Sequence, residues 1–569
     1  MGSRWIANCL AIVWVACLAG LFVSACQGLG SSGDAGSDGL ADGQVDGTSD
    51  GDASEGDGLG DDGASGPWRS ALYPEDWTPE LTDAEGRFLH DFSYAGYHLG
   101  EEEPPSLPPG IEISVADEGA DASGETDSTA AFQAAMDAVG LAGGGRVFVP
   151  AGLYRVDGLL VVSHSGVVVK GEGAEVSRVF FTRDGDMTGR ASLSFRGASS
   201  VDLELPLIED AEPRAFELLV SEASGLAVDD DVEVGALISD EFVAEHGMTG
   251  VWQTSVGQWR AFFRRRVAAV DCGAESCSVR LNVPLRYPLK TRDAASLRRV
   301  TGLLAEVGVE DLGLSNAVSQ DGAFACDRAH VLGLIQVKDA WMRRVASFAS
   351  PVAEGNFHLQ SGGVLVQQSK RVSLTDSVFE LAQNRNGGGN GYLFEIMQSS
   401  EVLVRDCRGL FGRHNFIQNW DFGTSGCVFL RVLSQGGVVV TPYGSLTGLC
   451  EYHHSLAMAN LVDSVQSDDG WGAVNRRQES SGAGHTATQN VFWNIQGGLL
   501  RSYQYGWGYV IGSRDALVYV DPADDLMSQL NGQAEGTEPL DWLEGLDRGA
   551  ELEPTSLYED QLRRRLEAL

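Results

Sequence analysis

The chain has 569 residues, a formal net charge of −40, 43% hydrophobic residues and 12 tryptophans. Such a field excludes nucleic acid as a partner, because no basic stripe could offset it. The apolar content requires a large folded part, either several domains or one long solenoid.

The N-terminus (residues 1–25) reads as an export signal. Arg4 supplies the positive start, and Trp5 to Ala25 is almost wholly apolar. The run is long enough for a permanent anchor helix, but its ending, Val23-Ser24-Ala25-Cys26, resembles a bacterial lipobox. That resemblance implies a lipoprotein acylated at Cys26 and held to the membrane by lipid. Gln27 after the cysteine favours the outer membrane of a Gram-negative bacterium. Residues 26–66 are Gly, Asp and Ser with many carboxylates and no basic residue, a composition that cannot build a core. They are expected to form a tether with a root-mean-square reach of roughly 35 Å. A lead-in (67–110) follows.

Coils are expected from 111 to 186. Asp127-Ser128-Thr129 caps a predicted helix whose apolar face is Phe132, Ala135, Met136 and Val139. An amphipathic helix there would plug the open first coil of a β-solenoid. Gly143-Gly144-Gly145 ends it, and the strands Arg146–Pro150 and Ala151–Val156 follow. This stretch, "TDSTAAFQAAMDAVGLAGGGRVFVPAGLYRV" (Thr126 to Val156), resembles the leading segment of the pectate-lyase-superfamily β-helices, the rhamnogalacturonase/epimerase-like group. The resemblance implies an all-β, right-handed parallel β-helix. That family spans lyases, hydrolases, epimerases and non-catalytic phage and surface proteins, so the resemblance specifies fold more than reaction.

From 187 to 299 the pattern lapses into a β-rich insertion. There Cys272 and Cys277 bracket a four-residue turn that brings them together as a disulfide in an oxidising compartment. The main β-helix is expected from 300 to 525. Its triplets at Val345, Thr375, Arg405, Val432, Val462 and Trp493 recur at 30, 30, 27, 30 and 31 residues, a solenoid period without helical periodicity. Stacking at about 4.8 Å then places Ser347, Ser377, Cys407, Ser434 and Ser464 in one column. Cys407, Cys427 and Cys450 are expected as free core cysteines. The tail (526–569) ends in an amphipathic helix carrying Leu557, Leu562, Leu566 and Leu569.

Four residues carry the expected chemistry. His454 and His485 lie 31 residues apart, which predicts two stacked imidazoles, at least one of them neutral and able to act as a base. His453, next to His454, is expected to face the opposite way on a strand. Arg413 and His414 are expected in the same groove, with Arg413 as a fork for a uronate carboxylate. A base beside a neutraliser of negative charge is what proton abstraction next to a carboxylate needs. The phrases around these residues also resemble secreted β-helix proteins of the superfamily. Together they imply a polysaccharide lyase acting on an acidic, pectin-like polysaccharide.

Two alternatives remain open at this point. Asp463, Asp468 and Asp469 before His485 echo the carboxylates of a polygalacturonase-type hydrolase, although Asp-Asp-Gly is also a plain turn. The fold would equally suit a glycan-binding or adhesive protein without catalysis. Trp420, Trp471 and Trp507 are candidate sugar platforms. No cofactor is required by the sequence. Calcium could join Glu395 and Asp421 to those aspartates, but no regular ligand loop is visible.

Overall fold

The computed structural model describes residues 66–106, 109–418, 420–441, 444–530 and 538–569. The signal, Cys26 and the tether up to residue 65 lie outside the described residues.

The chain from Trp68 onward folds as a right-handed parallel β-helix with three faces. Each coil runs along a first face (for example Val337–Arg343), turns a tight corner into a short second-face strand (Ala346–Ser347), and loops to a third face (Gly362–Gln367). Strands of the first two faces join into one 20-stranded sheet, and the third face is a 10-stranded sheet. Side chains directed inward form one continuous apolar core along the axis, from Val115 to Val510.

The column at the tight corner holds Leu312, Val345, Ser377, Cys407, Val432, Val465 and Ile495, all 2% exposed or less. It follows from the parallel registers Gly313 with Ala346, Ala346 with Val378, Val378 with Arg408, Arg408 with Leu433, Leu433 with Gln466 and Gln466 with Gln496. The expected column keeps only its Ser377–Cys407 step. Ser434 instead stacks with Gly409 and Ser467, and Ser464 is itself a corner. What fixes the register is backbone geometry. Asp311, Arg344, Asp376, Asp406, Arg431, Ser464 and Asn494, each just before a column member, all have φ between 49 and 55. Non-glycine residues rarely hold that left-handed conformation, and here it turns every coil at the same point.

The helix Thr129–Leu141 buries Phe132, Ala135, Met136 and Val139 over the first coils. Its start is capped by Asp127, whose Oδ1 accepts from the Thr129 amide at 2.9 Å, while the Ser128 hydroxyl accepts from the Asp121 amide. The insertion is narrower than expected. Ala191–Arg196 is already a third-face strand, and the antiparallel insertion sheet spans Ser200 to Thr301. It leaves at the corner between third and first faces and has its own core, shared with Phe422, Leu456 and Met458 of the coil turns. The Glu401 carboxylate, 1% exposed, fastens it through Arg265 and Arg286. Cys272 and Cys277 are disulfide-bonded across its hairpin.

The coil runs past residue 525, because Trp542–Glu544 pairs in parallel with Tyr509–Ile511. The lead-in and the helix Leu557–Ala568 cover apolar residues that point outward from the first face. Leu72, Tyr73, Phe92, Leu557 and Tyr558 pack on Leu403, Leu430, Leu461 and Trp493. The C-terminal helix thus lies along the flank of the solenoid, not over its far end.

Candidate functional site

On the third face the strands Tyr392–Met397, His414–Gln418 and Cys450–Tyr452 are neighbours, with Tyr392 opposite His414 and Ile417 opposite Glu451. Segments entering this face carry Arg385 and Arg413. Turns leaving it carry Trp420, His453 and His454.

The Glu451 carboxylate is the hub. It accepts from His453 Nδ1 at 2.5 Å and from Arg476 Nη1 at 2.7 Å, and His414 Nε2 lies 3.5 Å away. Burial alone would raise its pKa, but Arg476, then His414 and His453, outweigh burial and hold it well below the ordinary carboxylate range. Burial keeps the three histidines neutral. It pushes His414 down to about 4 and also lowers His453. Together with the neighbouring His453 and Arg476 it brings His454 to about 3. His453 and His454 do not face apart as strand alternation predicts. The strand ends at Tyr452, so the two rings turn to the same side, 4.9 Å apart.

His454 stacks on Trp420, 5.0 Å between ring centres and 14° between planes, and Trp420 is 39% exposed. Arg328 lies 5.2 Å over the same indole and pairs with Glu395 at 2.6 Å. Arg413 lies 6.0 Å from the Tyr392 ring and donates to the Asn386 carbonyl. Arg385 is half-buried, and burial lowers its pKa. Among the described residues neither Arg385 nor Arg413 has a carboxylate partner. Gly391 lets them approach. Its φ is +75, and a Cβ there would meet Arg413 Cβ at 2.7 Å and Arg385 Cγ at 3.1 Å.

The structure therefore brings together His414, His454, Arg413 and Trp420, but not His485. Ala457 pairs with Ala487 and Met458 with Thr488, so the offset is 30 and His485 falls in register with Ser455. A slip of one residue in extended chain sends a side chain to the other side. The His485 ring contacts Tyr505 at 5.2 Å and Trp252 at 6.4 Å, and no ring contact joins it to His454 among the described residues.

Other candidates are corrected too. Trp471 is 2% exposed in the core, and Trp507 packs under the lead-in, with Arg87 over its ring. Asp463 is fully buried and accepts from Ser556 Oγ and the Tyr558 amide, both at 2.8 Å; it anchors the C-terminal helix. Asp469 accepts from Ser434, Gly437 and Asn415, while the adjacent Asp468 is exposed. No acid–base pair forms from them. Asp421 is tied to Arg260 of the insertion and Glu395 to Arg328 and His330, so these carboxylates do not gather as a calcium site. The one group close enough to share an ion among the described residues is His98, Glu306 and Asp339, and Asp339 is already paired to Arg371.

Sequence reasoning missed Glu451, Arg385, Arg328 and Arg476. Glu451 carried a signal, because it precedes His453 by two residues in "EYHHS", the spacing that shares one face of a strand. The arginines are spread over 149 positions, from Arg328 to Arg476, and only coil stacking collects them.

Comparison with known proteins bears on the first coils. Residues 112–195 match the family described as rhamnogalacturonase A/epimerase, pectate lyase-like. Alginate lyase 7 of Azotobacter vinelandii is 40% identical over 87 residues, 14% of this chain and 10% of that protein. Mannuronan C5-epimerase AlgE2 of the same organism is 41% identical over 87 residues, 14% and 9% of the two chains. The match thus spans about a tenth of the length of these curated relatives. Among solved structures, the tailspike gp61 of Pseudomonas phage phi297 superposes with a TM-score of 0.45 at 13% identity, covering 76% of this chain and 74% of the other. The A-module of A. vinelandii mannuronan C-5 epimerase AlgE6 gives 0.33 at 13% identity, covering 76% and 94%. The matched segment lies in the first coils of the parallel β-helix, and over residues 112–195 the chain is similar to the pectate-lyase-like family.

Proposed function

We propose that this β-helix protein abstracts the C5 proton of a uronic-acid unit in an acidic polysaccharide, and that β-elimination follows. One observation carries the reading. On a chain of net charge −40, two guanidiniums without a carboxylate partner among the described residues, Arg385 and Arg413, meet at Gly391, and Arg413 reaches the Tyr392 ring that also contacts the neutral His414 and His453. Fixed cations next to a uronate carboxylate neutralise the charge that develops as C5–H ionises. His454 is the base. It is kept neutral, and the arriving substrate carboxylate raises its affinity for a proton. His453, oriented by Glu451, lies 4.9 Å from it, and the Glu451 carboxylate favours the imidazolium that forms.

The electrons of the C5–H bond become the C4–C5 double bond, the C4–O bond breaks, and the departing oxygen takes a proton from the site or from solvent. Trp420, 39% exposed, offers the pyranose ring the part of its indole that His454 and Arg328 leave uncovered. The relatives of the first coils are named as an alginate lyase and a mannuronan C5-epimerase, which supports uronate polymers as the substrate class. Hydrolysis finds less support, since Asp463 and Asp469 are occupied by structural hydrogen bonds. The reading includes an exported, lipid-anchored location through Cys26, at the outer membrane.

A panel of uronate polymers tests the function, read by absorbance of the unsaturated product with reducing ends measured in parallel. Unsaturated product is expected. Reducing ends without it would mean hydrolysis, and binding without either would mean an adhesive protein.

A further inference from the structure

A second cleft opens where the insertion meets the coil turns, with a volume of about 510 Å³. Its wall is a set of three rings. His246 is fixed at both nitrogens, Nδ1 with the Phe242 carbonyl and Nε2 with the Tyr287 hydroxyl, each at 2.6 Å. The Tyr505 ring lies 4.4 Å from His246 and 5.2 Å from His485. His485 is 5% exposed, lines the cleft, and its Nδ1 is buried without a hydrogen-bond partner among the described residues. A buried polar nitrogen left unpaired is destabilising and calls for an explanation.

Rigid rings with a few polar atoms suit a pyranose, whose C–H face lies on an aromatic surface while its hydroxyls reach nitrogen and oxygen. Charge selects the kind of sugar. The charged lining is Glu245, Glu538 and Arg477, with carboxylates outnumbering the guanidinium. Lys290 and Arg292 engage Glu245, and Arg292 also pairs with Asp293, so around the cleft three carboxylates meet three cations. The cleft therefore offers no surplus of positive charge to a polyanion, in contrast to the Arg385–Arg413 site.

We propose that this cleft is a second glycan-binding site, separate from the Glu451 centre, and that it takes an uncharged pyranose unit of a neutral glycan. The pairing of a neutral-sugar site with an acidic-sugar site suits a matrix that contains both.

The test is calorimetric titration of the full chain with neutral hexaoses of glucose, mannose and galactose, and with a hexauronate. At least one neutral hexaose is expected to bind. Tyr505→Ala should weaken it about ten-fold or more, the factor that corresponds to about 1.4 kcal/mol. Gln478→Trp, at an exposed position lining the cleft, should do the same by filling the mouth, and it decides the matter if Tyr505→Ala lowers the melting temperature. Arg413→Ala should leave neutral binding unchanged. The proposal is overturned if no neutral hexaose binds at about 1 mM, the weak end of specific recognition. It is equally overturned if Gln478→Trp binds as the wild type does, or if Arg413→Ala abolishes neutral binding. Turnover of a uronate polymer should persist in Gln478→Trp, so this inference and the assignment of the Glu451 centre fail separately.

Discussion

Glu451→Gln is the perturbation that separates a catalytic hub from a structural one. The substitution keeps the shape of the side chain and removes its charge. Gln keeps one acceptor oxygen, so Arg476, whose side chain is 19% exposed, loses its anionic partner at 2.7 Å and competes with His453 for the single acceptor that remains. Breaking a buried pair by neutralising one partner costs about 3–5 kcal/mol. The lower end applies here, because Arg476 keeps Ser480 at 3.1 Å and Glu479 at 3.9 Å. Glu451→Gln with Arg476→Met should cost less than the sum of the two single changes, since no buried charge is then left alone.

The pH dependence has a definite sign. The Glu451 carboxyl titrates well below 4.5 in the folded chain and near 4.5 when unfolded. Its contribution is therefore present above pH 4.5 and lost as pH falls through the folded value. The difference between wild type and Glu451→Gln should shrink in that acid range. His454, at about 3 folded against 6.5 unfolded, lowers stability in both proteins as pH falls from 6.5, and the loss extends to lower pH in Glu451→Gln, because Glu451 raises the proton affinity of His414, His453 and His454. Turnover on a uronate polymer should fall by about 10²-fold, the scale of an impaired acid–base group. KM should change little, because Arg385 and Arg413 are untouched. Denaturation and steady-state kinetics on the same preparations give both readouts. A variant with reduced stability but full turnover would refute the catalytic role and leave Glu451 a structural ion pair.

Three further outcomes are expected. His454→Ala should lower turnover by about 10²-fold or more with the fold intact, whereas His485→Ala, at a separate place, should leave uronate turnover near wild type; steady-state rates on both variants check this. Arg413→Ala should raise KM for a uronate polymer more than for its neutral methyl ester, measured on matched polymer pairs, because it removes a cation and not a platform. Metabolic labelling with a fatty acid should tag the wild type and miss Cys26→Ser, and equal labelling of the two would end the lipoprotein assignment.

The sequence by itself determined the architecture. The stretch Thr126–Val156, the recurrence of short β-prone runs and the helical spacing of Phe132, Ala135, Met136 and Val139 were each local signals. Local signals survive because neighbouring residues alone create them. The same holds for Cys272 and Cys277, which a short turn brings together, and for the final helix. Register was a different matter. Coil lengths vary with the loops between the second and third faces, and the corners are set by left-handed residues as unlike as Asp376, Arg431 and Asn494, which share a backbone conformation and no side-chain type. An error of one residue in register then separated His485 from His454. The site shows the same division. His414, His454 and Arg413 were legible as chemically able residues near one another in sequence. Arg328, Arg385 and Arg476 entered only when stacking converted separations of coil length into contact, and Asp463 left because the C-terminal helix docks on it. Which carboxylates are occupied and which guanidiniums are not depends on partners tens of residues to more than a hundred residues away, and only the tertiary structure decides that.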